Sequence, residues 1–253
     1  MKPEQRQDQI LARLRAFQSE VSVEELASLF GVSALTIRRD LDQLDAQGAI
    51  VRTHGGCMLK SSIESAYRRR VATNFELKQA IGRAAADELQ AAGTVLINDG
   101  STTFHLAAHL GGRGSFTVFT NSIAIMTELS RFPEIRLYLL GGELDRQMNL
   151  LGGDLTEQIL EMFYFDLAFL GADAIDAKGW CLVPTTTEAR LTQIMLRRSK
   201  RRILLADHTK CESESHAAFA RLEDFDLWIT TPGINPERRS FFQQAVKIKE
   251  VTP

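Results

Sequence analysis

Apolar residues recur at helical spacing in three closely spaced segments at the start of the chain. A stripe with periods of three and four residues is typical of an amphipathic helix that packs one face on a core. The pattern therefore predicts three short helices. The apolar positions are Ile10, Leu11, Leu14 and Phe17 in the first segment, Leu26, Leu29 and Phe30 in the second, and Ile37, Leu41 and Leu44 in the third.

The second and third helices are predicted to be joined by a tight turn. Ser22 and Glu25 have the spacing of a capping box, which opens the second helix. Gly31 stands where a helix often ends in a left-handed residue, and Ser33 is a suitable N-cap for the third helix. Two short helices around a glycine-containing turn indicate a helix-turn-helix.

The third helix is predicted to present polar groups away from its apolar stripe. At about 100° per residue, Arg39 lies opposite the stripe and Arg38 on its flank, while Leu35 and Thr36 also point outward. A β-hairpin is predicted to follow, because Gly55-Gly56 separates two strand-like runs. Such a hairpin is a wing.

These features indicate a DNA-binding surface made by Ser33, Leu35, Thr36, Arg38 and Arg39, with Arg52 and His54 added by the wing. A helix fits the major groove, and arginine can bind guanine or phosphate. The alternative is a protein-interaction module whose arginines are only solvated. The first 60 residues hold eight Lys and Arg and eight Asp and Glu, so their charges balance. If this region binds DNA, its positively charged side chains must gather on one face.

The rest of the chain predicts a Rossmann-like α/β domain over residues 75–253, after a helix-turn-helix domain over 1–60 and a linker over 61–74. Strand-length apolar runs alternate with helical patterns, which favours a mainly parallel sheet covered on both faces. The start of a helix is a second interpretation of the linker. The expected strands include TVLIN, FTVFTN, IRLYLL, LAFLGAD, RRILLAD and DLWITT.

Polar residues follow several of these strands, where ligands of such folds bind. The stretch DGSTT offers a glycine, hydroxyls and free backbone N–H groups, which suit a phosphate. Lys210 can complement a phosphate, and Asp173 can accept hydrogen bonds from sugar hydroxyls. The candidate ligand-binding residues are Asp99, Gly100, Ser101, Thr102, Thr103, Asn121, Gly141, Gly142, Asp173 and Lys210.

Each of these stretches also has a purely structural interpretation. DGSTT can cap its helix, the glycine pair can be a turn, and Lys210 can be a surface lysine. Glu188 ends a capping box that starts at Thr185, and we assign it that role. His105 and His109 share a helix face, but no carboxylate or cysteine accompanies them in sequence, so neither a metal nor a cofactor is expected.

Residues 21–56 closely resemble the N-terminal domain of the DeoR family of bacterial repressors of sugar catabolism, in V-S-x-x-T-I-R-R-D-L and R-x-H-G-G. The stretches DGSTT, TNSIAI, LLGGEL, FDLAFLGADAID and LLADHTK resemble that family's sensor domain, which is similar to sugar-phosphate isomerases. The resemblance implies operator DNA and a phosphorylated sugar or polyol as partners. Two departures put the sugar in doubt: Asn98-Asp99 replaces the usual D-S, and residues 180–183 are larger and less polar than usual.

The expected function is a transcriptional repressor released by its effector, acting as a homodimer or homotetramer. The alternative is an isomerase with a DNA-binding appendage, since Asp173 and Asp176 resemble that enzyme's acids, although its glycine-rich lysine loop has no clear match. No membrane span or signal peptide is expected, and three scattered cysteines fit a cytoplasmic protein.

Overall fold

The computed structural model describes residues 2–17, 21–52, 56–59, 64–89, 93–145 and 148–253. The chain divides into two compact units, Met1–Arg69 and Arg70–Pro253. Across the described residues, no helix combines the length and the apolar character of a membrane span.

The first unit is a helix-turn-helix, as the sequence predicts, together with a three-stranded antiparallel sheet. The sequence predicts the two hairpin strands of this sheet but not the third strand, Val21–Ser22. Gly31 ends the second helix with φ 62°, a left-handed conformation that glycine adopts without strain. The strands pair in the order β1-β3-β2. The elements are α1 Pro3–Phe17, β1 Val21–Ser22, α2 Val23–Phe30, α3 Ala34–Ala46, β2 Ile50–Arg52, β3 Gly56–Leu59 and α4 Glu64–Ala72, whose last residues belong to the second unit.

The second unit contains most of the strands and helices of the chain. In chain order its elements are α5 Phe75–Ala86, β4 Thr94–Ile97, α6 Ser101–Ala107, β5 Thr117–Thr120, α7 Ile123–Leu129, β6 Arg136–Leu139, β7 Glu143–Asp145, β8 Leu150–Gly152, α8 Asp154–Glu161, β9 Phe165–Gly171, β10 Ala174–Ile175, β11 Trp180–Val183, α9 Thr186–Arg197, β12 Ser199–Leu205, β13 Ala217–Arg221, β14 Leu227–Thr230, α10 Pro236–Ala245 and β15 Ile248–Glu250.

The main sheet of the second unit has seven parallel strands in the order β15-β14-β12-β9-β4-β5-β6. Successive residues of a strand face opposite sides, so Val95 and Ile97 pack with α5, α6 and α7, while Leu96 packs with α8, α9 and α10. This architecture confirms the predicted mainly parallel sheet with helices on both faces. Two small antiparallel sheets, β7-β8 and β10-β11-β13, were not predicted.

The strand order reverses beside β4. The chain runs from β4 outward through β5 and β6, returns to place β9 on the other side of β4, and continues outward through β12, β14 and β15. Helices that leave adjacent strands toward opposite faces open a crevice at the carboxyl ends of those strands. The fold therefore places a crevice between β4 and β9.

Candidate functional site

The outer face of α3 carries the cations that the sequence singles out. Ile37, Leu41 and Leu44 are buried, which turns Arg38 and Arg39 outward as exposed side chains. Neither guanidinium has a hydrogen bond or ion pair with any residue that the structure describes. This helix face therefore holds two positive charges that are available to an external anion.

Ser33 and Thr36 organise the start of α3. The Ser33 hydroxyl accepts a hydrogen bond from the Thr36 backbone N–H at 3.2 Å and lies 2.9 Å from the Thr36 hydroxyl. Leu35, one position before Thr36, is 59% exposed. The N-cap role expected of Ser33 is confirmed, and its side chain is engaged within its own helix.

Arg52 does not point away from the protein. Its Nη1 atom donates to Asp42 Oδ1 at 2.5 Å and to the Arg38 carbonyl at 3.2 Å, so the side chain lies along α3. The Asp42 carboxylate offsets the charge of Arg52, so the uncompensated positive charge of this face comes from Arg38 and Arg39. His54 lies outside the described residues, as do the other residues between β2 and β3.

A buried ion pair that the sequence analysis missed fixes α3 against α1. Arg6 Nε lies 2.5 Å from Asp40 Oδ2, and Arg6 Nη2 lies 3.1 Å from Asp40 Oδ1; both side chains are almost fully buried. Asp40 stands three residues after Ile37 and four before Leu44, so helical spacing places it on the apolar stripe. The position of this aspartate on the apolar stripe is the sequence signal that indicates a buried ion pair.

In the second unit a pocket opens at the crevice between β4 and β9. Residues 98–102 follow β4, residues 171–173 end β9 and follow it, and Lys210 follows β12. Parallel strands that neighbour each other bring their carboxyl ends together, which is why these distant segments meet. The lining thus includes six of the sequence candidates, namely Asp99, Gly100, Ser101, Thr102, Asp173 and Lys210.

The other four candidates lie around the pocket and are not among its lining residues. The buried Thr103 hydroxyl donates to the carbonyls of Asn98 and Gly100, so it shapes the loop. Asn121 hydrogen-bonds Asp99, as described next. Gly141 accepts a hydrogen bond from the Thr156 hydroxyl at 2.6 Å, and Gly142 packs so closely on Thr156 and Gly152 that a Cβ would collide with them.

Asn98 and Asp99 are held by amide hydrogen bonds. Asn98 Oδ1 accepts from the Gly171 N–H at 3.0 Å and links the ends of β4 and β9. Asn121 Oδ1 accepts from the Asp99 N–H at 3.0 Å, and Asn121 Nδ2 donates to Asp99 Oδ1 at 3.1 Å. Burial raises the pKa of Asp99 to about 6, against the opposing effect of the Asn121 hydrogen bond.

Glu188 contributes a third acid beside Asp99 and Asp173. Its backbone N–H donates to the Thr185 hydroxyl at 3.1 Å, which confirms the predicted cap of α9. Its carboxyl group lines the pocket and has no hydrogen-bond partner among the described residues. Burial, followed by the charges of Asp99 and Asp173, raises the pKa of Glu188 to about 8. The sequence analysis assigned Glu188 only the capping role.

Arg70 is a second charged pocket residue that the sequence did not reveal as part of the site. Its Nη1 atom lies 3.4 Å from Asp173 Oδ1, and both side chains are about 30% exposed. Lys78, which is 3% exposed, donates from Nζ to the Arg70 carbonyl. Burial and then the charge of Lys210 lower the pKa of Lys78 to about 8. Nothing in local spacing distinguishes Arg70 from the neighbouring Arg68 and Arg69.

The two histidines of α6 are engaged in hydrogen bonds. His105 lies 3.1 Å from Gln79 Nε2 and 3.0 Å from the Val71 carbonyl, while His109 lies 2.8 Å from Gln79 Oε1. Within the described part of the chain, no group of three or more His, Cys, Asp or Glu side chains is arranged to hold a metal ion.

Two family models match the chain, one over each unit. The model described as DeoR-like helix-turn-helix domain matches residues 6–63, and the model described as DeoR C terminal sensor domain matches residues 73–231. Together they cover most of the sequence.

Curated relatives of similar length share about a third of their residues with the chain. The HTH-type transcriptional regulator GlpR of Haloferax volcanii is 34% identical over 88% of this chain and 88% of its own. The HTH-type transcriptional regulator GolR of Listeria innocua is 32% identical over 99% and 100%. The glycerol-3-phosphate regulon repressor of Escherichia coli is 33% identical over 83% of each chain.

Among solved structures, ribose 5 phosphate isomerase A from Neisseria gonorrhoeae is similar with a TM-score of 0.41 and 18% identity, over 55% of this chain and 54% of the enzyme. The eIF2B beta subunit from Chaetomium thermophilum has a TM-score of 0.47 and 14% identity, over 71% of this chain and 56% of that chain.

Proposed function

The chain belongs to the DeoR family of transcriptional regulators, and from this premise we propose that it represses a carbohydrate or polyol catabolic operon until a phosphorylated effector releases it. The observation that carries the proposal is the pairing of two features in one chain. One unit presents Arg38 and Arg39 on α3, where they pair with no residue that the structure describes, and the other encloses a polar pocket at the reversal of its strand order.

We propose that Leu35, Arg38 and Arg39 enter the major groove of operator DNA. An arginine can donate two hydrogen bonds to guanine or neutralise a phosphate, and Leu35 can contact a thymine methyl group. Arg52, which lies against α3, is paired with Asp42, so the positive potential of this face rests on Arg38 and Arg39. A single domain of this size buries little DNA surface, so two copies on two half-sites, in a dimer or tetramer, are part of the proposal.

The pocket is proposed to bind the effector through both its positively charged and its acidic side chains. Lys210 and Arg70, with the hydroxyls of Ser101 and Thr102, suit a phosphate group, while Asp173 and Glu188 suit sugar or polyol hydroxyls. One relative is named a glycerol-3-phosphate regulon repressor, which supports a small phosphorylated polyol or sugar. The named relatives are regulators, and we propose that this chain is likewise no enzyme.

The proposal is tested by measuring binding to DNA from upstream of the gene by fluorescence anisotropy. Arg39→Ala should weaken binding by about 1–3 kcal/mol, because it removes a base or phosphate contact. Arg131→Ala removes an exposed cation of the other unit and serves as the matched control. Ser101→Val should leave operator binding intact but raise the sugar-phosphate concentration needed for release by about tenfold, since one phosphate donor is lost.

Two outcomes contradict the proposal. Equal operator affinity of the wild type and Arg39→Ala would remove Arg39 from the DNA interface. Turnover of ribose 5-phosphate that disappears in Asp173→Ala would make the pocket an active site.

A further inference from the structure

The last turn of α4 is fixed to the core of the second unit through its backbone. The buried Lys78 ammonium donates to the Arg70 carbonyl, and His105 Nε2 lies 3.0 Å from the Val71 carbonyl. His105 is 2% exposed, and its other ring nitrogen lies 3.1 Å from Gln79 Nε2, which can donate to it. A buried polar group costs free energy unless it is paired. Two buried side chains thus connect the backbone of this turn to the core of the second unit.

The Arg70 side chain extends from this turn into the pocket, where it is weakly held. Charge-assisted N–H···O bonds are commonly about 2.7–2.9 Å long, whereas Arg70 Nη1 stands 3.4 Å from Asp173 Oδ1. Among the described residues, this is the sole hydrogen bond or ion pair of the Arg70 guanidinium. An anion in the pocket would therefore compete with Asp173 for Arg70 at little cost.

Arg70 differs from the rest of the pocket lining in its place along the chain. The other lining residues belong to the loops, strands and helices of the α/β domain from residue 98 onward. Arg70 is the first residue of the second unit, and it lies in the same helix as the last residues of the first unit. A change in its contacts acts on the segment that joins the two units.

We propose that Arg70 couples effector binding to DNA release: without effector it pairs with Asp173, and with effector it turns to the ligand phosphate and alters the last turn of α4. This inference rests on the proposed function. A ligand can shift an equilibrium only through contacts that differ between the two states, and the exchange of Asp173 for phosphate is such a difference. Lys210, by contrast, contributes affinity without coupling.

The test compares operator affinity with and without saturating probe. The probe is whichever of glycerol 3-phosphate, ribose 5-phosphate, glucose 6-phosphate and fructose 6-phosphate raises the melting temperature of the wild type. Coupling between sites commonly changes affinity by about 5- to 150-fold. In Arg70→Lys the ratio of operator affinity without probe to operator affinity with probe should fall to about twofold or less. Lysine keeps the charge, so calorimetric titration should still detect the probe within about tenfold of its wild-type affinity.

Two matched variants separate coupling from binding. Lys210→Met should need more probe but reach the wild-type ratio at saturation. Asp173→Asn should also lower the ratio, but by weakening operator binding without probe, because the unliganded partner of Arg70 is lost. Circular dichroism of each variant shows whether it folds.

The outcomes are distinct. Arg70→Lys with a wild-type ratio at saturation overturns the inference and leaves the proposed function standing. A wild type that no probe binds or releases from the operator overturns the proposed function and the inference with it.

Discussion

Glu188 carries a carboxyl group whose pKa is raised to about 8 by burial and by the charges of Asp99 and Asp173. In the unfolded chain a glutamate titrates near pH 4.3, so between about pH 4.3 and 8 the folded protein holds a proton that the unfolded chain has released. Protonation of Glu188 therefore stabilises the folded protein fully below the pKa that Glu188 has in the unfolded chain. This stabilisation is lost as the pH rises through the folded pKa of about 8.

Glu188→Gln removes this titration. We expect the free energy of unfolding at pH 8 to rise by about 1–3 kcal/mol and to fall less steeply between pH 5 and 8 than in the wild type. Urea denaturation at several pH values measures both effects. Glu214→Gln, at an exposed glutamate, is the control. If the wild-type and Glu188→Gln curves run parallel, the carboxyl group does not titrate as described.

The candidate site shows which residues a sequence can reveal. Asp99, Asp173 and Lys210 follow buried strands, so apolar patterning and the strand-end rule are enough to bring them together. Arg70 and Glu188 lie on helices, and their approach to the pocket depends on how those helices pack. Local spacing explained Glu188 as a helix cap, which is correct, but it carried no signal for the position of its carboxyl group.

The packing of α1 on α3 depends on a charge pair as well as on apolar residues. Removing one partner of a buried ion pair is strongly destabilising, so Asp40→Ala, which takes the carboxylate away from the buried Arg6 guanidinium, should destabilise the first unit by about 3–5 kcal/mol. Thermal and urea denaturation followed by circular dichroism measure the loss. The double variant Arg6→Met with Asp40→Leu should recover much of it, because no unpaired charge remains.

Asp42 provides a matched control on the same helix. Its ion pair with Arg52 is largely exposed, so Asp42→Ala should cost about 1 kcal/mol or less. Equal losses in Asp40→Ala and Asp42→Ala would contradict the expected penalty for leaving the buried Arg6 charge without the Asp40 carboxylate.

Among the helices and strands, those with strong local signals were predicted and those with weak signals were not. The cap at Ser22 begins α2 and the left-handed Gly31 ends it, so local interactions define this helix and the turn that follows it. The strands β7, β8 and β10 have two or three residues each, too few to show a period. In the folded chain β7 and β8 pair with each other and β10 pairs with β11.

The apolar cores of the whole molecule follow the division into two units. One cluster of buried residues lies between Ile10 and Cys57, and the other two lie between Ile81 and Val251. Each unit therefore encloses apolar surface of its own, and apolar burial is the dominant favourable contribution to folding. The sequence pattern predicted both units. Apolar residues recur every three to four positions in helices and every two positions in strands, and these residues pack on the core of their own unit.

Separate cores predict two unfolding transitions in differential scanning calorimetry. A sugar phosphate bound in the pocket should raise the transition of residues 70–253, and at 100 times its dissociation constant it adds about 2.7 kcal/mol. Operator DNA should mainly raise the transition of residues 1–69. In Lys210→Met the sugar-phosphate effect should shrink while the DNA effect persists, because only the pocket has lost a cation. One cooperative transition that both ligands raise equally would mean that the two units unfold together.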